Sequence, residues 1–255
     1  MIKRMILNSD DFGITEGVTI GTIHAHVDGV LTSTTCMMNM PFAEFALNLA
    51  KDYPDLGVGI HLVFTAGRPL IDGAKSFTDE HGNFRKLGTY TATAENGLTN
   101  FVSEADPDEL YAEWKAQIEK FIQIAGKKPT HIDSHHHSHL FPNHQEVSIR
   151  LAKEYDLPMR QDTQIIDHYE FVRCDGAFYG TTLTNSDLID IMKNNDDEIL
   201  EIMCHPGYVD QRMMDISGYS IPRATEMAII RSEEVKQFVK DNNIELITYA
   251  DLNKN

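Results

Sequence analysis

The densest chemistry in this sequence is His131-Ile-Asp-Ser-His135-His-His-Ser-His139, with His144 close behind. Twelve histidines spread over 255 residues would place about 0.7 in a window of 14, yet residues 131–144 hold six. Imidazole and carboxylate are the ligands of Zn²⁺ and related divalent ions, and a coordinating ring needs a partner for its second nitrogen. In an extended segment alternate side chains share a face. His131, Asp133, His135, His137 and His139 are therefore expected to project together, with His136 opposite. A solvated histidine tract is the bland alternative, and it fits poorly beside an apolar run and before Pro142.

Three further places carry reactive groups. Asn8-Ser-Asp10-Asp11-Phe-Gly13 ends an apolar run. Adjacent carboxylates repel unless something positive lies beside them, and a bound cation would relieve that, one Asp holding the ion and the other a water. A helix-capping Asp with a solvated neighbour is the structural alternative. His61 closes Gly57-Val-Gly-Ile-His61 and His205 closes Ile199-Leu-Glu-Ile-Met-Cys204. Either is a hydrogen-bonded core histidine or a group suited to acid–base work near neutral pH. Arg160 and Arg223 offer planar forks for a carboxylate or phosphate, or partners for a catalytic aspartate. Tyr179, Tyr208 and Tyr219 fall in expected loops, where a ring can stack on a sugar.

Elements that would position these groups alternate along the chain. Strands are expected at Ile2–Leu7, Thr34–Met38, Leu56–Val63, Thr130–Ser134, Leu157–Arg160, Glu198–Cys204 and Ile244–Tyr249. Helices are expected at Thr15–Val27, Phe42–Lys51, Asp106–Ala125, Asn143–Tyr155, Ser186–Lys193 and Arg223–Asp241. Strand–helix alternation implies parallel pairing and right-handed crossovers. The expected fold is a single α/β domain, 1–255, built as a distorted or incomplete β/α barrel, with an open doubly wound sheet as the alternative. In either, strand carboxyl ends gather on one face, and Asp10, Asp11 and His61 belong there. A long loop insertion at about 64–103 reads as a lid or binding wall.

With 22 basic and 39 acidic residues the formal charge is −17, which argues against a phosphate-tracking nucleic-acid binder. No stretch is long and apolar enough for a membrane span. The start lacks the apolar run of a signal peptide. The odd set Cys36, Cys174 and Cys204 reads as buried, reduced thiols, which points to the cytoplasm.

Taken in order, Asn8-Ser-Asp-Asp-Phe-Gly13, Val30-Leu-Thr-Ser-Thr-Thr35, Gly59-Ile-His61, Lys128-Pro-Thr-His-Ile-Asp-Ser-His-His-His137, Met203-Cys-His-Pro206 and Tyr219-Ser-Ile-Pro-Arg-Ala-Thr-Glu226 resemble the YdjC-type (ChbG-like) carbohydrate deacetylases, nearly end to end. The resemblance implies a barrel-like fold and a divalent ion usually given as Mg²⁺. It implies removal of acetyl groups from short chitin oligosaccharides such as diacetylchitobiose, with or without a 6-phosphate, by a cytoplasmic homodimer. It makes His61, His135 and Asp11 the metal ligands and Asp10 the base. His205 is then the expected proton donor to the leaving amine. His131, Asp133, His137, His139, Arg160 and Arg223 support the ligands or touch substrate. Two imidazoles and one carboxylate suit Zn²⁺ better than the harder Mg²⁺. The competing readings are a metallophosphoesterase acting on a small phosphorylated metabolite and a non-catalytic sugar- or metal-binding protein.

Overall fold

Apolar runs broken by capped amphipathic segments set the order of elements in the computed structural model, which describes residues 1–95 and 98–253. Positions 96–97 of the expected insertion and the last two residues of the chain lie outside the described residues. In chain order the elements are β1 (Arg4–Phe12), α1 (Glu16–Asp28), β2 (Ser33–Cys36), α2 (Ala43–Ala50), β3 (Gly57–Leu62), β4 (Thr91–Glu95), β5 (Leu98–Val102), α3 (Pro107–Ala125), β6 (Ile132–Ser134), α4 (Gln145–Tyr155), β7 (Arg173–Asp175), α5 (Asn185–Asn194), β8 (Ile199–Cys204), α6 (Gln211–Ile216), α7 (Ile221–Ile230), α8 (Glu233–Asp241) and β9 (Glu245–Leu246). The expected start and stop signals operate. Thr15 caps α1 by accepting from the Val18 N–H. Asp106 and Pro107 open α3, and Gly126 closes it at φ 74.

All main-sheet strands pair in parallel, in the order β6-β3-β2-β1-β8-β7. β9 lies on the same edge of β1 as β2, ahead of it, pairing at Arg4 and Met5, while β8 runs along the other edge. Among the described residues β6 and β7 are not joined, so the sheet is a parallel half-barrel. Side-chain alternation divides β1 between two environments. Met5 and Leu7 face the helical layer of α1, α5, α7 and α8, whereas Ile6 joins Tyr169, Val172, Ile199, Ile247, Tyr249 and Leu252 in a separate apolar cluster. A third cluster packs α2, α3 and α4 over β2, β3 and β6.

Several expectations give way to local chemistry. The helix expected over 223–241 is two helices, because Ser232 starts a new one by accepting from the Val235 N–H. The expected strand 244–249 pairs only at Glu245–Leu246, since Thr248 and Asp251 cap a turn that draws the chain inward. Leu157–Arg160 contributes only isolated bridges at Met159, parallel to Ile132 and antiparallel to Asp162. The 64–103 insertion, expected as a loop, holds an antiparallel strand pair, β4–β5. An aromatic group of Phe64, Phe77, Phe84, Tyr90, Trp114 and Phe141 ties the insertion to α3. Buried Glu113 adds to this by accepting the Leu70 and Ile71 N–H groups.

Candidate functional site

The carboxyl ends of β1, β3, β6 and β8 bring Asp10, Asp11, His61, Asp133, His135 and His205 to one face, as parallel strands require. A regular strand would send Asp10 and Asp11 to opposite sides. Here β1 bulges: three steps from Ser9 to Phe12 match two on β2, and Asp11 takes φ 68. An aspartate in the left-handed region costs about 1–3 kcal/mol in a strained site. That distortion lets both carboxylates serve one pocket. The histidine run also departs from the expected alternation. His131 and Asp133 do share a face, but the strand stops at Ser134. The chain then turns through His136 (φ 55) and His137 (φ 52), so the remaining rings fan out. Ser134 drives this locally, accepting the His139 N–H at 2.8 Å and bonding its ring nitrogen at 2.5 Å.

Asp11, His61 and His135 bring one ligand atom each within 4.8 Å of the others. His61 Nε2 lies 3.3 Å and His135 Nδ1 2.9 Å from the same oxygen, Asp11 Oδ1. Neighbouring ligands at roughly 2.1 Å from a divalent ion are themselves about 3.0–3.4 Å apart. The donor set therefore fits such an ion. Supporting bonds fix the orientation: His61 Nδ1 is 2.7 Å from Asp133 Oδ1, leaving Nε2 to face the pocket. Thr35 donates to the other Asp133 oxygen at 2.9 Å. Arg223 donates to Asp11 Oδ2 at 2.5 Å, so Asp11 keeps Oδ1 for the pocket. Burial resists charge on His61, but Asp133, Asp10 and Asp11 overcome it and push the imidazole up to about 10. The pocket demands a positive charge at its centre.

Asp10 lies beside this group in a different environment. Arg160 grips it with both terminal nitrogens, at 2.8 and 2.6 Å, and Asn8 donates at 2.9 Å. Burial opposes its ionisation; the Arg160 charge prevails and holds its pKa below the usual carboxylate range. Asp10, His61 and Asp133 form a second cluster with metal-ligand spacing. Arg160 Nη2 stands 2.6 Å from Asp10 and 2.8 Å from Asp133, so its guanidinium already fills that place.

The family profile for YdjC-like proteins matches residues 4–241. The chain belongs to the YdjC-like family. Among curated relatives, it is 40% identical over 256 residues to a carbohydrate deacetylase of Clostridium beijerinckii, covering 98% of this chain and 100% of the relative. A carbohydrate deacetylase of Geobacillus stearothermophilus is 38% identical, with both chains fully covered. Among solved structures, an Enterococcus faecalis V583 protein provisionally described as a cellobiose-phosphate cleavage protein superposes with a TM-score of 0.84 at 32% identity, again over all of both chains. A family 4 carbohydrate esterase from Streptomyces lividans, 10% identical with a TM-score of 0.53 over 99% of this chain and 97% of the other, shares the fold.

The other expected residues of this family member separate by depth. His205 follows β8 at the pocket, its Nδ1 without a protein partner among the described residues; burial lowers it to about 4. Arg223 Nη1 is likewise buried and unpaired. His137 is half-buried, whereas His131 and His139 are fully enclosed beneath the site. His131 stacks on Tyr249 with ring centroids 3.7 Å apart, and a Cβ on Gly59 would come within 2.5 Å of the His131 ring. Arg160 is wholly buried, so its role is to hold carboxylates. Tyr179 is 53% exposed and stacks on Tyr219 at 4.1 Å, both rings edge-on to His205.

Two carboxylates escaped sequence reasoning. Glu226 accepts the His205 N–H and, at 2.5 Å, the Tyr219 hydroxyl; burial raises it to about 7. Glu201 bonds Arg160. The signal for Glu201 was its place inside an apolar strand, where only a compensated charge survives.

Proposed function

We propose that this chain is a carbohydrate deacetylase: a metal-dependent hydrolase that removes N-acetyl groups from short chitin oligosaccharides and releases acetate. The observation that carries the reading is the Asp11–His61–His135 donor set, with Asp10 one residue away and His205 on the adjoining strand end. The relatives' names supply the substrate class, and the unpaired His205 and Arg223 nitrogens give a polar substrate its partners.

A divalent cation held by Asp11, His61 and His135 would polarise the acetyl carbonyl and acidify a water. Asp10, aimed by Arg160 and Asn8, takes the proton of the attacking water as the new C–O bond forms. A carboxylate with a low pKa gives that proton up readily. His205 rests neutral, and the negative charge growing on the tetrahedral adduct raises its proton affinity. It picks up the proton that Asp10 releases and passes it to the sugar nitrogen as the C–N bond breaks, leaving acetate and a free amine. Tyr179 offers its open face to a sugar ring. Mg²⁺ follows from the family resemblance and Zn²⁺ from the ligand chemistry. Reconstituting chelated protein with each ion separates them. A homodimer follows from the resemblance alone. The cytoplasmic setting is supported by three free, buried cysteines and by the absence, among the described residues, of a helix long and apolar enough to cross a membrane.

The deciding assay is acetate release from diacetylchitobiose by metal-loaded protein. Binding without turnover would reduce the chain to a sugar-binding protein. Phosphate release from phosphorylated sugars in its place would favour the phosphoesterase reading, which the Arg160 guanidinium in the second cluster disfavours.

A further inference from the structure

Beneath the site, the half-barrel interior links Arg160 to charged and polar groups that the reaction as described does not use. Arg160 offers two edges. The terminal pair of nitrogens holds Asp10, and the Nε side holds Glu201 Oε1, at 2.9 Å from Nε and 2.8 Å from Nη2. The second Glu201 oxygen accepts the Tyr249 hydroxyl at 2.5 Å. Tyr249 is fixed in turn by its stack on His131, which rests against Gly59, and by the apolar cluster around Ile6, Ile247 and Leu252. Arg160, Glu201, Tyr249 and His131 are all fully buried.

We propose that Glu201 and Tyr249 are positioning residues for the hydrolysis, fixing the plane of the Arg160 guanidinium and through it the aim of Asp10. The inference rests on the proposed reaction, in which Asp10 is the base. An arginine held at its terminal nitrogens alone, as Asp10 and Asp133 hold this one, can pivot about that end, and its long stem has several rotatable bonds. Gripped on two edges, its plane is set. Stability does not explain the arrangement: burying a carboxylate is costly, and apolar replacements of buried ionic groups are often neutral or better. A glutamate facing inward from Ile199-Leu200-Glu201-Ile202 makes sense when its product is geometry. The C-terminal turn at Thr248–Asp251 that ends β9 early is what carries Tyr249 into the barrel. A segment far from the substrate face thus sets the direction of a reacting group.

The test is a pair of near-isosteric variants, Glu201→Gln and Tyr249→Phe, assayed for acetate release from diacetylchitobiose. Outer partners of a site typically contribute 10–100-fold. Glu201→Gln is expected to lower kcat by about that factor, and Tyr249→Phe by about 10-fold. KM and melting temperature should stay near wild type. Because the two act through one contact, the double variant should be little worse than Glu201→Gln alone. Unchanged kcat, or kcat and melting temperature falling together in both variants, overturns the proposal. A second readout needs no turnover, so it stands even if wild type releases no acetate and the proposed activity fails. Crystals of Glu201→Gln should show the Asp10 carboxylate turned from its wild-type position, and an Asp10 that superposes on wild type overturns the inference.

Discussion

Replacing Arg160 with methionine removes the guanidinium that faces Asp10, Asp133 and Glu201 at 2.6, 2.8 and 2.8 Å, all four groups being buried, and leaves the His61 imidazolium as the cation beside Asp133. Asp10 and Asp133 present oxygens within 4.8 Å of each other. At an effective dielectric of about 20, that pair alone repels by roughly 3 kcal/mol. Stripping one partner from a buried ion cluster costs about 3–5 kcal/mol. Arg160→Met should therefore lose that much stability at pH 7.5. The sign of the pH dependence follows. In wild type, burial opposes ionisation of Asp10 and Asp133, and Arg160 overturns it, so both pKa values lie below their unfolded ones. Their contribution is intact above the unfolded carboxylate range and is lost only in stronger acid. Without Arg160 the same carboxylates shift upward, and a raised group stabilises at low pH and loses that effect as pH rises. The stability gap between variant and wild type should thus narrow by about 1 kcal/mol between pH 7.5 and 5.5. Urea unfolding of chelated protein at both values measures it; the Arg160 charge also helps depress His131, His137 and His139, so its loss narrows the gap in acid in the same direction. A variant as stable as wild type at pH 7.5, or a gap that does not narrow in acid, refutes the electrostatic account.

Wild type itself should weaken as pH falls from about 6.5 toward 4. Burial depresses His131 and His139 to about 3 and His137, His144 and His205 to about 4, so the unfolded chain takes up protons first; a melting temperature flat across that range would contradict it. Asp10→Asn should lose about 10²–10⁴ in kcat while retaining metal, read by turnover alongside metal content. His205→Ala should lose a similar factor on the amide but far less on an activated phenyl acetate, whose leaving group needs no proton; equal losses on both would remove it as the donor. Tyr179→Ala should raise KM for diacetylchitobiose about 10-fold with kcat little changed, as the loss of one ring-stacking contact predicts, and an unchanged KM would exclude that ring from the substrate.

The gathering of Asp10, Asp11, His61 and His205 was legible because strand ends in parallel folds converge and each of these follows an apolar run; His135 stands out instead by the density of its histidine run. The helix boundaries at Thr15, Asp106 and Gly126 were legible because capping is local chemistry. What failed depends on long-range partners. Alternation was extended past Ser134 because nothing in a linear pattern shows a serine turning back to cap its own loop. Arg160 follows a run too short to pair as more than isolated bridges, and its three carboxylate partners come from β1, β6 and β8. The bulge at Asp11 is invisible for the same reason: it exists in the register of β1 against β2. Glu201 and Tyr249 matter only once the sheet has curled enough to bring them together.

The pocket meets its negative charge in two different ways, and the difference bears on the chemistry. Around Asp11, the balancing charge is left to the two imidazoles or to a cation that replaces their proton, with Arg223 confined to the outer oxygen. Around Asp10 and Asp133, it is supplied permanently by Arg160, held on a second edge by Glu201. A second metal at Asp10, His61 and Asp133 would have to expel a fully buried guanidinium and strip Glu201 of its cation, leaving it only the Tyr249 hydroxyl, at a cost of several kcal/mol. Two-metal phosphoryl chemistry needs ions about 3.5–4 Å apart clamping both reacting oxygens. In the proposed reaction, an arginine locked in the second place would leave room for one exchangeable ion beside one fixed charge that orients a carboxylate. That division suits the hydrolysis of an uncharged amide, where the ion need only polarise one carbonyl and the carboxylate need only take one proton.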